Sequence, residues 1–78
     1  MLRVTDYRGF AIRVHLQKTA DGMFETWFQI KGDIGAGDTV YGVPFKVFGS
    51  PFSRRWAYLV GELAGRASVD EILGVDEL

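Results

Sequence analysis

Residues 10–31, with the sequence FAIRVHLQKTADGMFETWFQIK, contain two runs in which apolar and polar residues alternate. The positions that we assign to the apolar face are Phe10, Ile12, Val14, Leu16, Phe24, Thr26, Phe28 and Ile30. A period of two is typical of a strand with one buried face. The segment Ala20-Asp21-Gly22 suits a three-residue hairpin loop, because Gly22 readily takes the left-handed conformation that such a loop requires. The stretch therefore predicts an antiparallel β-hairpin.

The loop also predicts the register of this hairpin. If Thr19 faces Met23, Val14 faces Phe28 on the apolar face, and polar residues face polar residues on the other. A shift of one residue would turn one strand over and mix the two classes of side chain. We therefore expect the register in which Thr19 and Met23 are opposite each other.

Further strands are predicted on both sides of the hairpin. Residues 39–48 alternate again, and Pro44 places this third strand at a sheet edge because proline has no amide proton to donate. Leu2 and Val4 form either a short extra strand or a tail packed on the core. We interpret the glycine-rich residues 32–38 as a flexible connection, since a phosphate-binding loop needs a helix directly after it.

A single C-terminal helix completes the predicted fold. Ser50 is the expected N-cap and Pro51 the first helical residue. The apolar stripe expected to cover the sheet is Phe52, Trp56, Leu59, Val60, Leu63 and Ala67. Residues 68–71 (SVDE) resemble a capping box that restarts a short helix or marks a kink. The fold class is therefore α+β: a three-stranded antiparallel meander, with or without a short N-terminal strand, packed on one helix.

This arrangement predicts one hydrophobic core. Its expected members are Phe10, Ile12, Val14, Phe28, Ile30, Phe45, Trp56, Leu59, Val60 and Leu63.

Composition limits the classes of protein and site. The 78 residues are 47% hydrophobic with a net charge of −1, as expected for a single folded domain over 1–78. The chain has no cysteine and one histidine, so it offers no disulfide, no thiolate metal site and no pair of imidazoles. Its C-terminal segment, residues 67–78, contains four acidic residues and no basic one. The sequence shows no signal peptide or membrane-spanning stretch, and we expect a soluble, cytoplasmic protein.

Two resemblances accompany these patterns. Residues 7–14 (YRGFAIRV), the Ala20-Asp21-Gly22 loop and Ser50-Pro51-Phe52 resemble a broad set of small uncharacterised bacterial proteins with strand-strand-strand-helix order. That resemblance spans nearly the whole chain and implies a fold but no activity. Residues 53–57 (SRRWA) are similar to the start of the last helix in double-stranded RNA-binding domains. That likeness implies that Arg54 and Arg55 contact phosphates, although the chain lacks the N-terminal helix of those domains.

Two surfaces are candidate binding sites. The first, the open sheet face, consists of Arg13, His15, Trp27, Gln29, Lys31 and Lys46. Trp27 among cations suits stacking on a ring, a base or a partner's side chain; the alternative is a cross-strand contact that only shields the backbone. The second, the glycine stripe, consists of Tyr58, Gly61 and Gly65 on the predicted outer side of the helix. Small residues four apart allow another helix to approach closely, unless Gly65 simply ends the helix and Gly61 is tolerated.

No set of nucleophile, base and orienting residue is recognisable, so we expect no enzyme, no cofactor and no metal. The predicted function is a non-enzymatic interaction module that self-associates or binds a protein partner, and we expect no membrane contact. Self-association would use a sheet edge, the open sheet face or the glycine stripe. The alternative function is nucleic-acid binding through Arg54 and Arg55.

Overall fold

The computed structural model describes residues 1–35, 38–49 and 51–74. Within these residues, an antiparallel sheet packs against a single C-terminal helix, so the predicted α+β class is confirmed. The strands and the helix are β1 (Leu2–Tyr7), β2 (Phe10–Lys18), β3 (Met23–Gly35), β4 (Asp38–Tyr41), β5 (Phe45–Lys46), β6 (Phe52–Ser53) and α1 (Arg54–Leu73). Strands β1, β2 and β3 are adjacent in that order, and β4, β5 and β6 each pair with the outer side of β3.

The predicted hairpin and its register are confirmed. Val14 pairs with Phe28 and His15 with Trp27 across β2 and β3. In the connecting turn, the Thr19 amide donates to the Met23 carbonyl oxygen at 2.9 Å. Gly22 has a φ of 73°, the left-handed conformation expected for this position.

The N-terminal segment is a full strand rather than a tail. All six residues of β1 pair with β2, from Leu2 opposite His15 to Tyr7 opposite Phe10. A two-residue turn joins the strands, with φ values of 51° at Arg8 and 83° at Gly9. Two positive φ values in a row are typical of the hairpin turn whose twist matches that of the strands.

The third strand lies at the sheet edge, as predicted, but it is interrupted. Residues 42–44 belong to no strand, and Pro44 lies in this gap between β4 and β5. The prediction of a flexible connection over residues 32–38 is wrong for residues 32–35, because β3 continues to Gly35, and for Asp38, which begins β4. Residues 36–37 lie outside the described part. Gly32 allows this continuation, since a Cβ there would lie 2.6 Å from the ring of Phe10.

The helix begins and continues differently from the prediction. It starts at Arg54 with Ser53 as N-cap, because Phe52 and Ser53 are extended and pair with Phe24 and Met23; Ser50 lies outside the described residues. The prediction of a second capping box is also wrong. Helix α1 runs through residues 68–71 without a break, and the Ser68 hydroxyl donates to the Ala64 carbonyl oxygen at 3.0 Å.

The face of α1 that covers the sheet is also not the predicted one. Buried positions recur every four residues and are Ala57, Gly61, Gly65 and Val69. The predicted stripe is wrong, since Trp56, Leu59 and Leu63 are exposed. Branched sheet side chains already fill the space under the helix: a Cβ at Gly61 would lie 2.6 Å from Cγ1 of Val14. The helix axis can approach Ile12, Val14 and Thr26 this closely because Gly61 and Gly65 have no Cβ.

The core consequently differs from the predicted one in its helical half. The buried residues are Phe10, Ile12, Val14, Leu16, Phe24, Thr26, Ile30, Ala57 and Val69. Phe28 is partly buried against them, as expected, Val60 is only half-buried, and Phe45 is exposed, with its ring 5.9 Å from that of Phe28. Thr26 is a buried polar residue whose hydroxyl donates to the Ala57 carbonyl oxygen at 3.0 Å, so no donor is left unsatisfied there.

Candidate functional site

The face of α1 that points away from the sheet is exposed along the whole helix. Five exposed residues spaced four apart cross this face obliquely, and we call them the outer ridge: Arg55, Leu59, Leu63, Ala67 and Glu71. The ridge runs from the β1 side of the helix, where Arg55 lies near Arg3, to the β5 side, where Glu71 lies near Phe45. The ridge is apolar in the middle, basic at its N-terminal end and acidic at its C-terminal end. Trp56, which is also exposed, lies beside Leu59 and Leu63, whereas Ile72 lines a hollow with Phe28 and Ile30. Sequence reasoning missed this surface because it assigned the same leucines to the core.

The glycine stripe does not lie on the outside of the helix, so its predicted placement is wrong. Gly61 and Gly65 face the sheet, where Gly61 meets Val14 and Thr26 and Gly65 meets Ile12. The close approach that small residues allow is therefore made to the protein's own sheet. Tyr58 is half-buried, and the Arg3 guanidinium lies 4.5 Å above its ring.

The charges at the ends of α1 oppose the helix dipole. The first turn contains Arg54 and Arg55 and no acidic residue, and the last turn contains Asp70 and Glu71 and no basic one. A helix dipole favours negative charge at the N-terminus and positive charge at the C-terminus. Neither Arg55 nor Glu71 forms an ion pair within the described part of the chain. Both charges are therefore left without compensation inside one copy of the protein.

Asp70, by contrast, is compensated by the β1–β2 turn. Its Oδ1 lies 2.8 Å from Arg8 Nη1 and accepts a hydrogen bond from the Tyr7 hydroxyl, also at 2.8 Å. The hydrogen bonds from Arg8 and Tyr7 lower the pKa of Asp70, and the bond to Asp70 raises the pKa of Tyr7. These contacts fasten the end of α1 to the first turn of the sheet.

The open sheet face brings its predicted residues together on one side. Cross-strand pairing aligns one row through Leu2, His15, Trp27 and Lys46, and a second row through Val4, Arg13 and Gln29. Several of these polar groups already have partners. Lys46 Nζ lies 2.9 Å from Glu25 Oε2, Gln29 Nε2 donates to the Gly42 carbonyl oxygen at 2.9 Å, and Lys31 is likewise engaged.

A shallow groove of about 470 Å³ runs over this face. Trp27 lies in it, half-buried, between Leu2 on one side and Pro44 on the other. The indole Nε1 of Trp27 is buried and has no hydrogen-bond partner in the described structure. Strand β1 does not cover the tryptophan, because it lies beside β2 and extends the face. Arg13 and His15 on β2 also line the groove, and both are exposed.

A separate hollow forms where β1 meets the start of α1. Arg3 joins Arg54 and Arg55 there, next to Tyr58. Arg3 is partly engaged, since its Nη1 lies 3.7 Å from Glu62 Oε1. Sequence reasoning missed Arg3, because nothing in residues 1–4 alone indicates which strand they pair with.

The described residues contain no group of three or more acidic or histidine side chains arranged to hold a metal ion. No helix in the described part of the chain is both long and apolar enough to cross a bilayer. Comparisons of the chain with models of protein families, with curated proteins and with solved structures gave no match.

Proposed function

We propose that this chain is a small interaction module that associates with a second copy of itself through the outer ridge of α1. The observation that supports this function is the exposure of Leu59 and Leu63, which remain 41% and 54% exposed in the middle of a helix that is packed on its other side. Trp56, 56% exposed, enlarges the same patch. Single exposed apolar residues are ordinary, but a contiguous apolar patch rimmed by polar residues is typical of an interaction site.

A second copy suits this surface better than an unrelated partner. The ridge is apolar at its centre and carries opposite charges at its two ends, so it is complementary to itself. A two-fold axis makes each patch meet the same patch on the other copy, which such a surface satisfies. Because one helix face is a small interface, we expect a dimer with a dissociation constant of roughly micromolar order.

Leu63→Lys is expected to abolish self-association. A lysine in the centre of the ridge would place an ammonium group opposite its counterpart in the second copy, without water to solvate either. Sedimentation equilibrium over a series from about 1 µM to about 500 µM, the range in which small interfaces dissociate, measures the change. We expect the parent chain to shift from one chain mass to two and the variant to remain at one.

Leu2→Lys is the matched control, because Leu2 is 51% exposed but lies on the open sheet face. It should dimerise like the parent. If Leu2→Lys breaks the dimer and Leu63→Lys does not, the contact is the open sheet face and this proposal is wrong. A parent chain that stays at one chain mass throughout the series also contradicts it.

Nucleic-acid binding is a second candidate function, and one observation favours it. Arg3 adds a third cation beside Arg54 and Arg55 at the start of α1. Three guanidinium groups around one hollow suit phosphate oxygens, which arginine binds with paired hydrogen bonds.

Replacing Arg54 and Arg55 by alanine tests this second candidate. If they contact phosphates, the double variant loses affinity for double-stranded RNA, and the slope of log affinity against log salt falls by about 2 units. Fluorescence anisotropy with a labelled duplex at low salt gives both quantities. Absence of binding by the parent at low salt removes this candidate.

A further inference from the structure

We infer that the two helices of the dimer are antiparallel, with the two-fold axis passing at Leu63. This inference rests on the self-association proposed above and specifies its geometry. It follows from the order of residues along the outer ridge, which places one positive charge and one negative charge symmetrically about the apolar centre.

The spacing of the charges fits this axis. Arg55 precedes Leu63 by as many residues as Glu71 follows it, and each distance along the helix is about 12 Å. A row of residues spaced four apart is inclined to the helix axis, and two such rows meet when the helices cross at about 50°. With antiparallel helices that cross in this way about an axis at Leu63, Arg55 of one copy lies level with Glu71 of the other. The symmetry produces this pair twice. In a parallel pair, Arg55 would instead lie beside Arg55 and Glu71 beside Glu71, which would repel.

The helix dipoles favour the same arrangement. Within one copy, Arg55 lies at the positive end of the helix and Glu71 at the negative end, and each is unfavourable there. An antiparallel second helix brings its Glu71 to the N-terminal end of the first helix and its Arg55 to the C-terminal end. The contact therefore compensates Arg55 and Glu71, neither of which forms an ion pair within the described part of its own chain.

The charges beside the ridge do not conflict with this register. With the axis at Leu63, Trp56 of one copy lies level with Asp70 of the other, and Arg66 lies level with Val60. Neither pairing brings like charges together.

Single cysteines provide a direct test, because the chain contains none of its own. A disulfide requires Cα atoms within about 7 Å of each other. Leu63→Cys is therefore expected to form a covalent dimer under mild oxidation, since residue 63 meets itself at the axis. Leu59→Cys alone should not cross-link, because its two copies lie about 12 Å apart along the helices. A mixture of Leu59→Cys and Ala67→Cys should form the mixed dimer. Non-reducing gel electrophoresis reads out all three.

Charge reversal tests the pairing at the ends of the ridge. Arg55→Glu and Glu71→Arg should each raise the dissociation constant about tenfold or more, since an exposed pair is lost and a repulsion gained at two places in the dimer. The doubly reversed variant restores unlike charges at both places and should return to within about threefold of the parent. Arg54→Glu is the control, since it reverses a neighbouring charge outside the ridge.

The possible results separate the register from the function. If the chain dimerises in the concentration series but Leu59→Cys cross-links readily with itself, the helices are parallel or their axis lies near Leu59. The inference is then wrong while the proposed function stands. The same conclusion follows if the doubly reversed variant is no better than the single ones. A chain that stays monomeric contradicts both.

Discussion

Gly65→Ala is expected to destabilise the domain, although alanine is the better helix former. A Cβ at this position would collide with Cγ2 of Ile12, which is fixed to a strand and has no flexible end to move away. Overpacking of a core typically costs about 1–3 kcal/mol. That cost exceeds the gain of about 1 kcal/mol in helix propensity. Urea denaturation should therefore show a lower free energy of unfolding than in the parent, and Gly65→Leu should leave no folded protein.

The sign of this effect should reverse when Ile12 is truncated. In an Ile12→Ala background the colliding methyl group is gone, so Gly65→Ala should stabilise the protein by roughly 1 kcal/mol through helix propensity. Ala67→Gly, on the exposed outer ridge, calibrates that propensity in the same helix. If Gly65→Ala stabilises the parent and the Ile12→Ala variant equally, the helix does not approach the sheet as closely as described.

Val14→Ala is expected to cost about 2–4 kcal/mol, a large part of the stability of a domain of this size. Val14 is fully buried beneath Gly61, where the rigid backbone on both sides limits collapse around the cavity. Leu63→Ala removes more carbon atoms, yet it should change the free energy of unfolding of the dilute monomer by less than about 0.5 kcal/mol. Thermal or urea denaturation at a concentration below that of dimer formation compares the two.

The contrast between these two variants tests which face of α1 covers the sheet. A loss of more than about 2 kcal/mol in dilute Leu63→Ala would be typical of a core leucine. It would show that the leucines, not the glycines, face the sheet. The same experiment at high concentration should reveal a further loss for Leu63→Ala, because a dimer stabilises the folded state by mass action.

The hairpin and its register were predictable because their determinants are local. The alternation of apolar residues fixes the faces of β2 and β3, and one short loop with Gly22 fixes the pairing. The positions of Arg13, His15 and Trp27 on one face follow from that register alone. Strand β1 was left undecided because its alternation is short, although Gly9 directly before β2 is a signal for a two-residue turn.

The orientation of α1 was not predictable by choosing its most apolar stripe. That rule assumes that the largest apolar side chains of a helix face the core. Here Ile12, Val14 and Thr26 of the sheet already occupy the space, and the helix fits only through its smallest residues. Helix α1 is apolar on two sides, so the sequence alone did not decide whether its large or its small residues face the sheet. The outer ridge and the cluster around Arg3 were missed for the same reason. The first depends on how α1 packs on the sheet, and the second depends on where β1 lies relative to α1.

The interrupted edge beside β3 limits how far copies of this sheet can add to one another. A sheet with two regular edges can recruit neighbours on both sides and grow into an open-ended fibre. On the β3 side, the edge consists of pieces of four, two and two residues, and Pro44 lies between the first two. Among the described residues, only β1 offers a continuous edge of six residues. Strand addition is therefore confined to one side of the domain, and any assembly built that way closes at two copies.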